Sequence, residues 1–198
     1  MAQWSLKERL QPSLLDRLTD MEPDKEKESS SQQLLSQKQF KDALEQYRAV
    51  VNFNGGDLEK LYNRLSSEYE DSSEAAEEIA ARIRKVEDVA EDLFDEWQKE
   101  LDLIGNDRLR RDSANQLRDT RYQYKQLIST MWQAEKSVHP VLDTLRDQVY
   151  YLKHNLNARA ISSLKGELRT IDADVNRLVQ QMQRAIDEAN NFIKNMKQ

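Results

Sequence analysis

The residues that could do chemistry are few. There are two histidines, His139 and His154, and no cysteine. His139 follows Glu135 by four residues, a spacing that on a helix would let carboxylate and imidazole share a metal. A di-iron bundle, however, requires two Glu-x-x-His elements plus two further inward carboxylates, and neither histidine has that spacing. The pair therefore reads as an exposed histidine beside Pro140. Without cysteine, neither a disulfide framework nor a thiolate zinc site can form. Glu68, Glu70, Asp71, Glu74, Glu77 and Glu78 make an acidic cluster. Calcium loops place acids at alternating positions around an obligatory glycine, which is missing here, so the cluster reads as a solvated helix face.

One stretch combines charge with rings. LRRDSANQLRDTRYQYKQL, with Arg108 just before it, places Arg110, Arg111, Arg118, Arg121 and Lys125 near Tyr122 and Tyr124. Basic residues interleaved with aromatics can bind single-stranded nucleic acid. Against that, the whole chain has a formal charge of −6, and the preceding segment 57–104 carries 16 acids against 6 bases. Pairing with that acidic neighbour explains the stripe at less cost, and no nucleic-acid partner is expected. Gly-rich phosphate loops, nucleophile elbows and histidine-based triads are missing from the sequence. No catalytic, cofactor-binding or metal residue, and no small-molecule substrate, is therefore assigned. Trp97, Trp132, Tyr150 and Tyr151 sit at helical spacing and are expected in the core.

The elements holding these residues follow from periodicity. Charged residues make up 33% and apolar ones 38% of 198 residues, with 4 Gly and 3 Pro; mean hydropathy is −0.90. Such a mix suits long helices whose seam needs only two apolar positions in seven. A first helix is expected over about 33–52, with Phe40, Leu44, Tyr47 and Val51 on one face, stopped by Asn54-Gly55-Gly56. Asp57 can cap the next helix.

Residues 57–104 carry the clearest heptads. One position runs Leu58, Leu65, Ser72, Ile79, Val86, Leu93, Glu100; the other runs Tyr62, Tyr69, Ala76, Ile83, Ala90, Trp97, Ile104. Twelve of these fourteen are apolar or aromatic, which predicts a left-handed coiled-coil seam. After Gly105-Asn106, with Asp107 as expected cap, a third helix covers 107–154. Leu117, Tyr124, Met131, Val138, Leu145 and Leu152 recur every seven residues. Ala114, Ile128, Leu142, Val149 and Leu156 widen that stripe, so the helix is expected to sit centrally between neighbours, with a kink near 136–140 at Pro140. Asn155 and Asn157 mark a turn. A fourth helix, 158–197, presents Ile161, Leu164, Leu168, Ile171, Val175, Leu178, Met182, Ala185, Ala189, Phe192 and Met196. Short connections make successive helices antiparallel. The fold expected is all-α: an elongated antiparallel coiled-coil bundle of three long helices plus a shorter N-terminal helix.

The first 33 residues read differently. Trp4, Leu6, Leu10, Leu14, Leu15, Leu18 and Met21 form a small amphipathic unit, and Glu22–Gln33 is a polar run expected to be a linker. Two domains follow: 1–33, an amphipathic segment with its linker, and 34–198, the helical coiled-coil domain. Lys7, Glu8 and Arg9 occupy the place of a signal peptide's apolar core, and no stretch approaches the roughly 20 apolar residues of a membrane span. As written, the chain is expected in the cytoplasm.

Two resemblances bear on function. KDALEQYRAVVNFNGGDLEKLYNRLSSEYEDS, VEDVAEDLFDEWQKEL, LRRDSANQLRDTRYQYKQL and VYYLKHNLNARAISSLKGELRTIDADV resemble an uncharacterised proteobacterial coiled-coil family, from about residue 38 to the end. Members of that family are often lipoproteins, which implies the cell envelope or periplasm; the lipidated cysteine is not present in this sequence. SLKERLQPSLLDRLTDMEPDKEKES resembles the start of TssE, the lysozyme-like baseplate subunit of type VI secretion. That resemblance implies docking on a baseplate partner through Leu10, Leu14, Leu15 and Leu18.

The function expected is that of a non-enzymatic structural or interaction protein, self-associating or scaffolding a protein partner through leftover seam. A second reading lays residues 4–18 in a membrane interface; a third makes the chain an accessory of the type VI baseplate.

Overall fold

The computed structural model describes residues 23–196, with side chains from 36 onward. The amphipathic unit 4–21, with Leu10, Leu14, Leu15 and Leu18, lies outside the described residues. The described chain is helical, without strands, in the order α1 (Pro23–Val51), α2 (Leu58–Leu101), α3 (Asp107–Lys136), α4 (Val138–His154) and α5 (Ala158–Met196).

The stop signals act through identifiable groups. Gly55 and Gly56 take φ of 127° and 116° between α1 and α2, a region L side chains rarely adopt. Asp57 then caps α2, its carboxylate accepting the Lys60 N–H at 3.0 Å. At the next turn the cap is Asn106 rather than the expected Asp107. The Asn106 side-chain oxygen accepts the N–H groups of Arg108 and Leu109 at 3.0 and 3.1 Å. Asp107 instead begins the helix and pairs with Arg110, since an acid in the first turn meets the positive helix end. Asn157 caps α5 in the same way, accepting the Ala160 N–H at 3.1 Å.

Two boundaries differ from expectation. The run 23–33, expected as a linker, is helical. Proline suits a first helical position because its missing N–H is not needed there, and no Gly or further Pro follows before Gly55, so nothing stops propagation. The helix expected over 107–154 is interrupted at one residue. Ser137 keeps helical dihedrals (φ −74°, ψ −9°), and its N–H is shared between the carbonyls of Gln133 and Ala134, both at 3.2 Å. Pro140 has no N–H to return to the Lys136 carbonyl, which relaxes the backbone at that point. Burial continues across the gap through Ala134, Val138 and Val141, so the buried stripe is unbroken where the helix is interrupted.

The chain gathers into two compact units. In the first, Ala81–Trp132 joins Ala185–Gln198. Its core draws Ala90, Leu93, Phe94, Trp97 and Leu101 from α2, Leu117 and Leu127 from α3, and Phe192 and Met196 from α5. Here α2 and α3 run antiparallel: Trp97 donates to Ser113 Oγ at 2.9 Å, while Trp132 donates to Glu87 at 3.0 Å. The partner in α3 thus advances as the one in α2 recedes. From α3, Thr130 reaches Glu188 of α5 at 2.8 Å.

The second unit joins Gln32–Ala80 to Gln133–Arg184. Its α1 packs on α5 in antiparallel register, Gln37 meeting Gln183 at 3.4 Å and Arg48 pairing with Asp172. Tyr47, fully buried, donates its hydroxyl to the Leu164 carbonyl at 2.8 Å. Against α2, Gln39 donates to Glu68 at 2.7 Å. Burial in this unit is carried by residues such as Phe40, Leu65, Leu145, Leu164 and Leu178.

The seam positions hold where heptads are strict. None of the fourteen predicted in 57–104 is exposed, and none of the eleven predicted in α5 is. In α3 and α4 the main stripe also holds, and of the widening set Val149 is buried as expected, but elsewhere in that set burial falls one residue earlier. Leu127, Ala134 and Val141 are buried, whereas Ile128 and Leu142 are half-buried and Ala114 and Leu156 are exposed. A heptad tells one stripe from its opposite face; which flank of that stripe is covered depends on where the neighbour lies.

Candidate interaction surface

The basic stretch lies on α3, within the first unit, and its cations divide by face. Residues seven apart on a helix return to nearly the same side, so Arg111, Arg118 and Lys125 form one line, and all three are exposed. Tyr122, between them, is 66% exposed. Arg121 turns toward α2 instead. Its guanidinium stands 5.5 Å from the centroid of the Phe94 ring and donates to the Phe94 carbonyl at 3.2 Å. Tyr124 meets the same ring edge-to-face at 5.4 Å. Burial, then the charges of Glu87, Glu91 and Asp88, push its phenol up to about 12. This stretch is therefore half anchor and half surface: Arg121 and Tyr124 fix α3 on α2, and the line through Arg118 faces solvent.

Three other arginines of the stripe pair within α3 rather than with the carboxylates of the acidic helix. Arg110 pairs with Asp107, Arg108 with Asp112 at 4.0 Å, and Arg118 with Asp119 at 3.6 Å, all within α3. Side chains along one helix are closer to each other than to charges across a packed seam. Exposed pairs of this kind contribute only ~0–1 kcal/mol, which leaves the stripe's charge available to a partner.

A groove of about 400 Å³ runs between the two helices. Leu101 and Gln98 of α2 and Ala114, Leu117, Arg118 and Lys125 of α3 line it. Its floor is apolar, since Leu101 and Leu117 are nearly fully buried, and its α3 rim is cationic. On the other flank α2 presents Asp88, Glu91, Asp92 and Asp95, all exposed. At the turn between the helices Leu103 is 82% exposed, and Leu109, in the first turn of α3, is 58% exposed. Asp88, Glu91 and Asp95 share helical spacing with Gln98, which lines the groove, so the hairpin carries a basic line and an acidic line on either side of that groove.

The remaining candidates sit elsewhere. His139 Nε2 lies 3.1 Å from Glu135, with the imidazole exposed. Glu70, Asp71, Glu74, Glu77 and Glu78 lie on the exposed face of α2, and Glu68 accepts the Gln39 bond. Among the described residues no group of three or more His, Asp or Glu is placed to hold a metal ion, and no helix is long and apolar enough to cross a membrane. Trp97 is core, and Trp132 is half-buried. Tyr150 and Tyr151, expected in the core, are 60% and 38% exposed, because the buried line of α4 passes through Val149 and Leu152 instead. The signal for the cationic line was legible as the seven-residue spacing 111, 118, 125; exposure of Leu103 and Leu109 carried no such signal.

A family model described as a protein of unknown function (DUF2959) covers residues 18–196. It begins upstream of residue 38, where the resembling segments start, and includes the polar run 22–33. No curated protein and no solved structure matches the chain. The resemblance of residues 1–30 to the type VI baseplate subunit finds no support in these comparisons.

Proposed function

This chain belongs to the DUF2959 family, and we propose that it is a non-enzymatic interaction protein, an antiparallel coiled-coil scaffold that works through its helical surfaces. The observation carrying this reading is the seam of α2: thirteen consecutive heptad positions from Leu58 to Glu100, none of them exposed. An ordinary amphipathic helix drifts off a strict seven-residue repeat by about 20° per heptad, and keeping the repeat over this length requires supercoiling around a partner. Antiparallel contacts of α2 with α3 and of α1 with α5 support the same packing within each unit. On this reading the chain has no catalytic chemistry of its own, and the exposed hairpin surface of α2 and α3 meets a protein partner.

The test is the particle's dimensions in solution. The 44 residues of α2 at 1.5 Å rise span about 66 Å, so small-angle scattering with sedimentation should report an extended particle at least that long. A compact globule with the frictional ratio of a sphere would refute the scaffold reading.

A further inference from the structure

We propose that the α2–α3 hairpin surface of the first unit pairs with the same surface of a second copy of this chain. The inference rests on the scaffold reading above and names its partner. Three features converge on one face. The cationic line of Arg111, Arg118 and Lys125 runs along α3, and an acidic line of Asp88, Glu91 and Asp95 runs along the adjacent stretch of α2. Between them lies the groove floored by Leu101 and Leu117, with Tyr122 standing exposed at its edge.

Charge complementarity selects the occupant. A purely basic surface would favour an acidic partner of another kind. This face carries both signs on neighbouring antiparallel helices. A two-fold axis lying in the interface and parallel to the helices exchanges them, setting each copy's α3 cations against the other's α2 acids. Isologous contacts of that kind, residue i on j and j on i, are the commonest in homo-oligomers. Such electrostatic matching governs register and encounter more than raw affinity. Desolvating Tyr122 beside the groove floor of Leu101 and Leu117 supplies the apolar part, aromatic side chains being favoured anchors at interfaces.

The experiment uses the full chain and two surface variants. One carries Arg111→Glu, Arg118→Glu and Lys125→Glu; the other carries Asp88→Lys, Glu91→Lys and Asp95→Lys. Sedimentation velocity should show the parent chain associating at about 0.1 M salt and dissociating toward about 1 M, where the Debye length shrinks from about 10 to about 3 Å. Each variant alone should be monomeric, its dissociation constant raised by at least an order of magnitude. An equimolar mixture should restore the dimer, because every opposed pair then regains opposite sign. Homodimers of either variant, a monomeric mixture, or a parent chain monomeric at every concentration and salt would each overturn the proposal.

Far-UV circular dichroism checks that each variant keeps its helices. If one does not, the parent background decides by labelling. The chain has no cysteine, so Gln98→Cys places a single thiol in the groove, and maleimide should label it more slowly at high protein concentration than at low. Concentration-independent labelling would overturn the pairing. A monomer that is still extended by scattering leaves the scaffold reading standing, whereas a compact particle overturns that reading itself.

Discussion

Replacing Tyr47 by phenylalanine removes one oxygen from a fully buried side chain, and the expected consequence depends on pH. At neutral pH the loss is the hydrogen bond from the Tyr47 hydroxyl to the Leu164 carbonyl, 2.8 Å long and joining α1 to α5. Leu164 lies inside α5, so its carbonyl keeps the helical N–H from four residues on. The cost is therefore the net worth of one bond, about 1 kcal/mol, rather than the larger penalty of a stranded acceptor. For a chain of this size that is roughly 2–4 °C in Tm.

In alkali the sign reverses. Burial, helped by the charge of Glu167, holds the Tyr47 phenol above its ordinary range, so the folded chain retains a proton that the unfolded chain releases. With the folded pKa raised, the phenol's contribution is fully present below about pH 10 and falls by about 1.4 kcal/mol per pH unit above it. Near pH 11 this loss exceeds the value of the bond. Tyr47→Phe should therefore be less stable than the parent at neutral pH and more stable at about pH 11. Urea unfolding followed by far-UV circular dichroism on both chains, at about pH 7, 9 and 11, measures the difference directly. An offset that stays constant across the three, or none at neutral pH, would show that Tyr47 is not held by this bond and burial.

Three further outcomes follow from other contacts. Leu145, with no exposed surface, should cost about 2–5 kcal/mol when changed to alanine, read as a drop in the urea midpoint. Asn106→Ala should cost about 1 kcal/mol through loss of the α3 cap, whereas Asp107→Ala, removing only an exposed pair with Arg110, should cost a few tenths; equal effects would contradict the cap assignment. In a spectrophotometric titration of the folded chain, Tyr47 and Tyr124 should both ionise late, Tyr124 near 12, and Tyr124→Phe should remove the step near 12.

Much of the fold could be read before any coordinates. The stops at Asn54-Gly55-Gly56 and Gly105-Asn106 are chemical properties of those residues, as is the weakness at Pro140. The strict seams of α2 and α5 follow from apolar residues recurring at helical spacing, and burial agrees along their whole length. The start of α1 was less legible because a polar run without apolar residues looks the same whether helical or extended; only backbone propagation from Pro23 distinguishes them. The cap of α3 was misplaced by one residue, Asn106 and Asp107 both being good caps and adjacent.

What the sequence by itself determined was local: helical periodicity, the positions of turns, and the segregation of acids into 57–104 and bases into 107–159. Tertiary structure alone decided which flank of a seam is covered, selecting Leu127, Ala134 and Val141 over Ile128 and Leu142 and leaving Tyr150 and Leu156 in solvent. It also decided the fate of each arginine, turning Arg121 onto Phe94 while Arg118 stays on the surface. The physical reason is common to both. Periodicity is a property of one helix and repeats regardless of neighbours, but burial and charge pairing depend on the position of a second helix, and that position is set by the packing of both faces at once.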